Sequence, residues 1–190
     1  MPWSMTVVPE LGASIGTSLR RIRFALGALL SASAQAAPGI AAPFTLTPPP
    51  ALHAAPVSRA ASGNTYAYLP QDLRTPQRLM ITTIMTGEIR ARFGALSDTQ
   101  CIRLFLDELR KEHQNFFAVD MTSPLTVGEA EFRRVRWTGE KNGRALTGVL
   151  ACGERQDYYY VVHYVDAIAS ATASFPAIRA SLHALRSSSP

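Results

Sequence analysis

The chain has 190 residues, 19 of them basic and 14 acidic, with 47% hydrophobic residues and 2 cysteines, which suits one ordinary domain with a sizeable core. Its formal charge of +5 is spread along the chain, without the basic stripe and aromatic platforms that nucleic acid demands, so nucleic acid is excluded as a main partner. Part of that charge belongs to the first 36 residues: without Arg20, Arg21, Arg23 and Glu10 the balance is 16 basic to 13 acidic, or +3.

The stretch LRRIRFALGALLSASAQAAPG, Leu19 to Gly39, follows the three-part plan of a secretory signal peptide. Arg20, Arg21 and Arg23 come first, an apolar run from Phe24 to Leu30 follows, and small residues close it at Ala34-Gln35-Ala36. A spanning helix needs about 20 apolar residues, and Ser31, Ser33 and Gln35 interrupt this run sooner. Ala34 and Ala36 suit signal peptidase, so residues 1–36 are expected to be cut between Ala36 and Ala37, leaving a periplasmic or secreted chain with no stable membrane span. No cysteine follows the run to accept a lipid, and the arginines lack the Phe-Leu-Lys continuation of a twin-arginine signal, which favours the general secretory route. The alternative is an amphipathic N-terminal helix that stays. The long leader with its Glu10 points to a later start, at Met5 or a non-Met codon.

Residues 37–63 are rich in Ala and Pro and read as extended or irregular. In PFTLTPPP, Phe44 and Leu46 alternate with Thr45 and Thr47, so a short edge strand is expected near 43–47, stopped by prolines that offer no backbone donor. An α+β domain is expected over 64–187. NTYAYLP and RLMITTIMT read as strands. Ser97 with Gln100 forms a capping box for a helix whose apolar face carries Ile102, Phe105, Leu106 and Leu109, with Asp107, Glu108, Arg110, Lys111 and Glu112 on its solvated side. FFAVDMTS reads as a strand.

A three-strand meander then runs to Ala167, with a tight turn at Asn142-Gly143 and another reversal within Gly153–Asp157. In YYYVVHYV, Tyr159, Val161, His163 and Val165 point one way and Tyr158, Tyr160, Val162 and Tyr164 the other. Both faces are largely apolar, which predicts a central strand covered on both sides. A last helix is expected from near Ser174 and Pro176, with Ile178, Leu182 and Leu185 on one face, and residues 188–190 as a frayed tail.

This order of elements, from the FTLTPPP strand through the amphipathic helix and meander to the FPAIRASLHAL helix, resembles the PsbP-like sandwich over about residues 42–187. That fold is shared by an extrinsic photosystem subunit, a Ran-binding import factor and many small exported bacterial proteins. The resemblance implies an antiparallel sheet with helices packed on it in an α/β/α sandwich, and no catalytic activity.

Cys101 on the helix and Cys152 at a strand end form a disulfide or stand as two separately buried thiols. His53, His113, His163 and His183 form no ligand-spaced set, so neither metal nor cofactor is expected, and nothing at local spacing pairs a cysteine with His113 or His163 as a nucleophile. Arg133, Arg134, Arg136 and Arg144 gather on one hairpin, as a surface for an acidic partner or anionic lipid or as a solvated face paired with Glu129, Glu131 and Glu140. Tyr158, Tyr160 and Tyr164 either line a ligand pocket or serve as core with wet tips. There is no phosphate loop, nucleophile elbow or His-Glu-x-x-His. These features point to an exported, non-catalytic binding or assembly factor whose partner is another envelope protein. The rivals are a cell-envelope hydrolase assembled from distant residues and an immunity or adaptor protein of a secretion system.

Overall fold

The computed structural model describes residues 42–60 and 63–188; the leader, its cleavage point at Ala36 and Ala37, and the last two residues lie outside them. Four short or moderate strands come first: β1 (Phe44–Thr45), β2 (His53–Ala54), β3 (Ser58–Ala60) and β4 (Gly63–Leu69). Then follow β5 (Arg78–Met85), helix α1 (Thr86–Phe93), helix α2 (Asp98–Glu112), β6 (Gln114–Asp120) and β7 (Leu125–Val127). The long meander is β8 (Ala130–Lys141), β9 (Arg144–Arg155) and β10 (Tyr158–Ala167), and helix α3 (Ile168–His183) and β11 (Arg186–Ser187) close the chain.

The main sheet is antiparallel throughout, in the order β2-β4-β5-β10-β9-β8-β6, with β3 also on β4 and β7 also on β8. This is the α+β class, a curled antiparallel sheet with helices packed on it. Two-residue turns set its register. Asn142 and Gly143 carry φ of 54° and 70°, the left-handed backbone that a primed hairpin turn needs. They place Lys141 opposite Arg144, and everything along β8 and β9 follows from that. Gln156, also at positive φ, and Asp157 turn β9 into β10, with Arg155 opposite Tyr158.

The core has two halves because β10 lies between β5 and β9 and is apolar on both faces. On one face Tyr160, Val162 and Tyr164 join Tyr66, Leu79, Ile81, Phe132 and Ala151, and α3 covers them with Ile178 and Leu182. On the other, Tyr159, Val161 and Val165 join Val135, Trp137, Leu150 and Cys152 beneath Cys101, Ile102 and Leu109 of α2. Helix α2 starts where its sequence says: the Ser97 hydroxyl accepts from the Gln100 N–H, and the Gln100 side chain accepts from the Ser97 N–H at 2.9 Å.

Three features differ from the sequence reading. The Phe44 strand is no edge of the main sheet: it pairs with β11, Phe44 opposite Ser187, because Phe44 is buried edge-on against Tyr66 with ring centres 4.9 Å apart. The end of the chain is correspondingly tied, and the Ser188 N–H donates to the Pro43 carbonyl at 3.1 Å. Helix α3 starts at Ile168, well before Ser174, and carries Pro176 inside it. Asp166 makes that early start: one carboxylate oxygen accepts from the Ala167 N–H and from the Ser170 hydroxyl, each at 2.7 Å, and the run of alanines favours helix after it. The elements α1, β2, β3, β7 and β11 were not expected, and Leu185, read as part of the last helix, lies just past its end at His183 though it is buried. None of the described helices is long and apolar enough to cross a membrane.

Candidate functional site

Because strand side chains alternate, the arginines of β8 part company. Arg133 lies opposite Cys152, on the α2 face, and donates to Asp120 and to the Thr99 hydroxyl, both at 2.8 Å. Arg134 and Arg136 lie opposite Ala151 and Val149, on the α3 face. Arg144 sits at the far hairpin end and donates to the Arg74 carbonyl. The expected four-arginine surface is therefore two arginines on one face, with the others elsewhere; among the described residues the ion pair made by these arginines is Arg133 with Asp120, and none runs to Glu129, Glu131 or Glu140.

Arg134 and Arg136 meet a third arginine, Arg179 of α3, around a cleft of about 270 Å³ between that helix and the sheet. Met121, Val149, Tyr164, Phe175 and Pro176 form its apolar walls, and Thr147 and Thr172 add hydroxyls. A second hollow of about 450 Å³ continues along α3, shares Phe175, Pro176 and Arg179, and reaches Leu125 and His183. Pro176 helps to open this side, since it has no N–H to give the carbonyl of Thr172 one turn earlier.

Arg134 is the unusual member. It is only 8% exposed, its Nε and Nη2 donate to the carbonyl and hydroxyl of Ser123 at 2.8 and 2.7 Å, and among the described residues no carboxylate pairs with it. Burial, and next the neighbouring Arg179 charge, push its pKa down from the usual guanidinium value. A guanidinium does not deprotonate in a protein, so Arg134 keeps its charge at the cleft, next to the exposed charge of Arg179. Arg136 and Arg179 are exposed and also make no ion pair among the described residues.

Tyr164 forms the floor of the cleft and is held from behind. Its hydroxyl donates to the buried Asp166 carboxylate at 2.9 Å and lies 2.5 Å from the Ser174 hydroxyl, which reaches the same carboxylate oxygen at 2.6 Å. Burial raises the phenol pKa, and the hydrogen bond to Asp166 adds to the rise, so Tyr164 stays a neutral donor. Tyr160 is fully buried in the core with its hydroxyl unpartnered, and Tyr158 packs against the same core at its rim, so neither reaches the cleft. Sequence reasoning missed Arg179, which stands between the apolar positions Ile178 and Leu182 and reads as the solvated side of a helix.

The α2 face holds different chemistry. Cys101 and Cys152 face each other there with Cα atoms 6.4 Å apart and their sulfurs joined. Trp137 packs between His113 and His163, with ring centres 5.0 and 5.7 Å away, and burial pushes the His163 imidazole down to about 3. A histidine of that kind is neutral filling, not a base at neutral pH. Among the described residues no group of three or more His, Cys, Asp or Glu side chains could hold a metal ion.

The chain matches no protein-family profile and no curated protein. Among solved structures it is similar to the crystal structure of LpqN, involved in cell envelope biogenesis of Mycobacterium tuberculosis, at TM-score 0.49 and 16% identity over 75% of this chain and 81% of that one.

Proposed function

We propose that this is an extracytoplasmic binding protein of the cell envelope, without catalysis, and that the Arg134–Arg136–Arg179 cleft is its ligand site and takes an anion. The single observation that carries the reading is the buried Arg134 charge, held by Ser123 and repelled by Arg179 with no carboxylate beside it. Binding energy built into a site in this way favours a carboxylate or phosphate, both of which match the guanidinium fork. The lining groups support binding over hydrolysis: arginines and threonines stay in one protonation state near neutral pH, and the lining holds neither a histidine nor a carboxylate to move a proton. Export is supported by the signal-like order of residues 19–39 and by the joined cysteines, which persist in an oxidising compartment. The PsbP-like element order points the same way, towards a small exported domain that acts through association, here with another envelope component.

The test is a thermal-shift and calorimetric titration of the protein with inorganic phosphate and with succinate at constant ionic strength. The expected result is saturable stabilisation by at least one of them, lost in Arg136→Gln/Arg179→Gln, whose exposed positions leave the fold unchanged. Equal responses in the two proteins, or no response in either, would overturn the cleft as the site.

A further inference from the structure

Strand β6 ends the sheet order and pairs with β8 alone, so its outer edge carries free backbone groups. The Met121 N–H donates to the Arg134 carbonyl, so in the unbroken register the N–H groups of Phe117, Val119 and Met121 face β8, and those of Ala118 and Asp120 face outward. Side chains alternate across the same stretch. Phe117, Val119 and Met121 stand on the cleft face and are 65%, 47% and 36% exposed, three of the six exposed large hydrophobics among the described residues. Phe116 and Ala118 pack against the α2-side core instead. An apolar edge of this kind is ordinarily blunted by charge, proline or a bulge; the irregularity of β6 lies between Gln114 and Phe117, ahead of the stripe, and neither charge nor proline stands in the stripe itself. The one charge on this edge, Asp120, is already held by Arg133 at 2.8 Å.

We propose that this edge is an interface between two copies of the chain, paired antiparallel about a two-fold axis at Val119. In that register Val119 meets Val119, Phe117 meets Met121, and Ala118 meets Asp120. The outward N–H and C=O groups of Ala118 and Asp120 then exchange hydrogen bonds with their counterparts, and each Asp120 lies across from a neutral alanine. A shift centred on Ala118 is worse, because it sets Met121 against Asn115, whose φ of 50° breaks the strand. The axis is normal to the sheet, so both apolar stripes fall on the same face, and Phe117 of the second copy borders Met121, a wall of the cleft. Each site is thus bounded on its open side by the other copy. The paired edge is short, at the small end of specific interfaces, below about 1,200 Å² in total, so the dimer is a weak one in exchange with monomer.

Single cysteines placed on the edge test the register as well as the association, since Cys101 and Cys152 are joined and leave no free thiol. A residue opposite its own copy in a pair without hydrogen bonds has Cα atoms about 4.5 Å apart, within disulfide range. With oxidised glutathione as the two-electron acceptor, Val119→Cys is expected to give a covalent dimer at least tenfold faster than Leu73→Cys, an exposed control at 71%. Phe117→Cys alone stays at the control rate, and Phe117→Cys/Met121→Cys cross-links. In parallel, sedimentation of the wild type shows concentration-dependent dimer that Val119→Lys abolishes at unchanged melting temperature. A wild type that stays monomeric throughout, or a Val119→Cys protein no faster than the control, overturns the interface. Phe117→Cys alone as fast as Val119→Cys overturns the register. Phosphate binding is read separately, so failure here leaves the anion site standing.

Discussion

The two faces of the sheet carry the same kind of strand and are finished in opposite ways. Under α2 the packing is fastened by a disulfide, a Trp137–His113–His163 stack and Tyr159 donating to Asp98 at 2.9 Å, and a hollow of about 350 Å³ beside it, between Arg103, Leu106, Ala118 and Arg133, has Asp107 and Asp120 among its lining groups. Under α3 the helix is held at its start by Asp166 and near its finish by the Gly128 N–H on the Leu182 carbonyl, and Ile178 packs into the core, while an arginine cleft opens beside Phe175 and Pro176. Both faces have a hollow beside the helix, but the α2 one has carboxylates beside its arginines and the α3 one has none.

Breaking the fastened side has the largest expected effect. Cys101→Ala/Cys152→Ala removes a link across 51 residues, worth about 4 kcal/mol by chain entropy, and urea unfolding measures it. Intact-mass analysis should find the native chain lighter by two hydrogens than its reduced form. Removing the prop comes next. Asp166→Ala strands the hydroxyls of Tyr164, Ser170 and Ser174 and the Ala167 N–H, for a loss of about 3 kcal/mol. It should also expose the α3 amides to hydrogen exchange while those of α2 stay protected. If both helices open together, the two faces are not independent.

Acid separates the faces by a different route. His163 titrates at about 3 when folded and near 6.5 when unfolded, so the unfolded chain takes up the extra proton between those values. Its contribution is complete above pH 6.5 and falls as pH drops towards 3, reaching a loss of about 2 kcal/mol at pH 5. His163→Phe should flatten that part of the stability curve. Tyr159→Phe, which leaves Asp98 short of one donor, should cost about 1 kcal/mol in the same unfolding assay. The smallest expected change has the opposite sign: Arg179→Gln relieves Arg134 and should stabilise the free protein by a few tenths of a kcal/mol, on the order of a surface charge effect. Loss of stability there would mean that Arg179 already has a stabilising partner.

Much of the frame was legible because it rests on local chemistry. Asn142-Gly143, the Ser97–Gln100 box and the two-sided alternation of β10 each need only neighbouring residues to be read. The site was half legible. Arg134, Arg136 and Tyr164 were among the residues singled out, but β8 alternation sends Arg133 to the other face, and Arg179 joins them only through the docking of α3. The start of that helix was hidden by Pro176, which reads as a first-turn residue and instead sits mid-helix, while the anchor at Asp166 lies in what looks like the tail of a strand. The partner of Phe44 was out of reach, since its strand pairs with one at the other end of the domain.

That last pairing bears on how the molecule comes into being. Thr45 and Ser188 touch across 143 positions of sequence, so the clasp between β1 and β11 joins the first and last strands of the described fold. Closing so wide a loop is slow and comes late. Removing residues 186–188 should leave a protein whose main sheet forms but whose first buried aromatic stays loose.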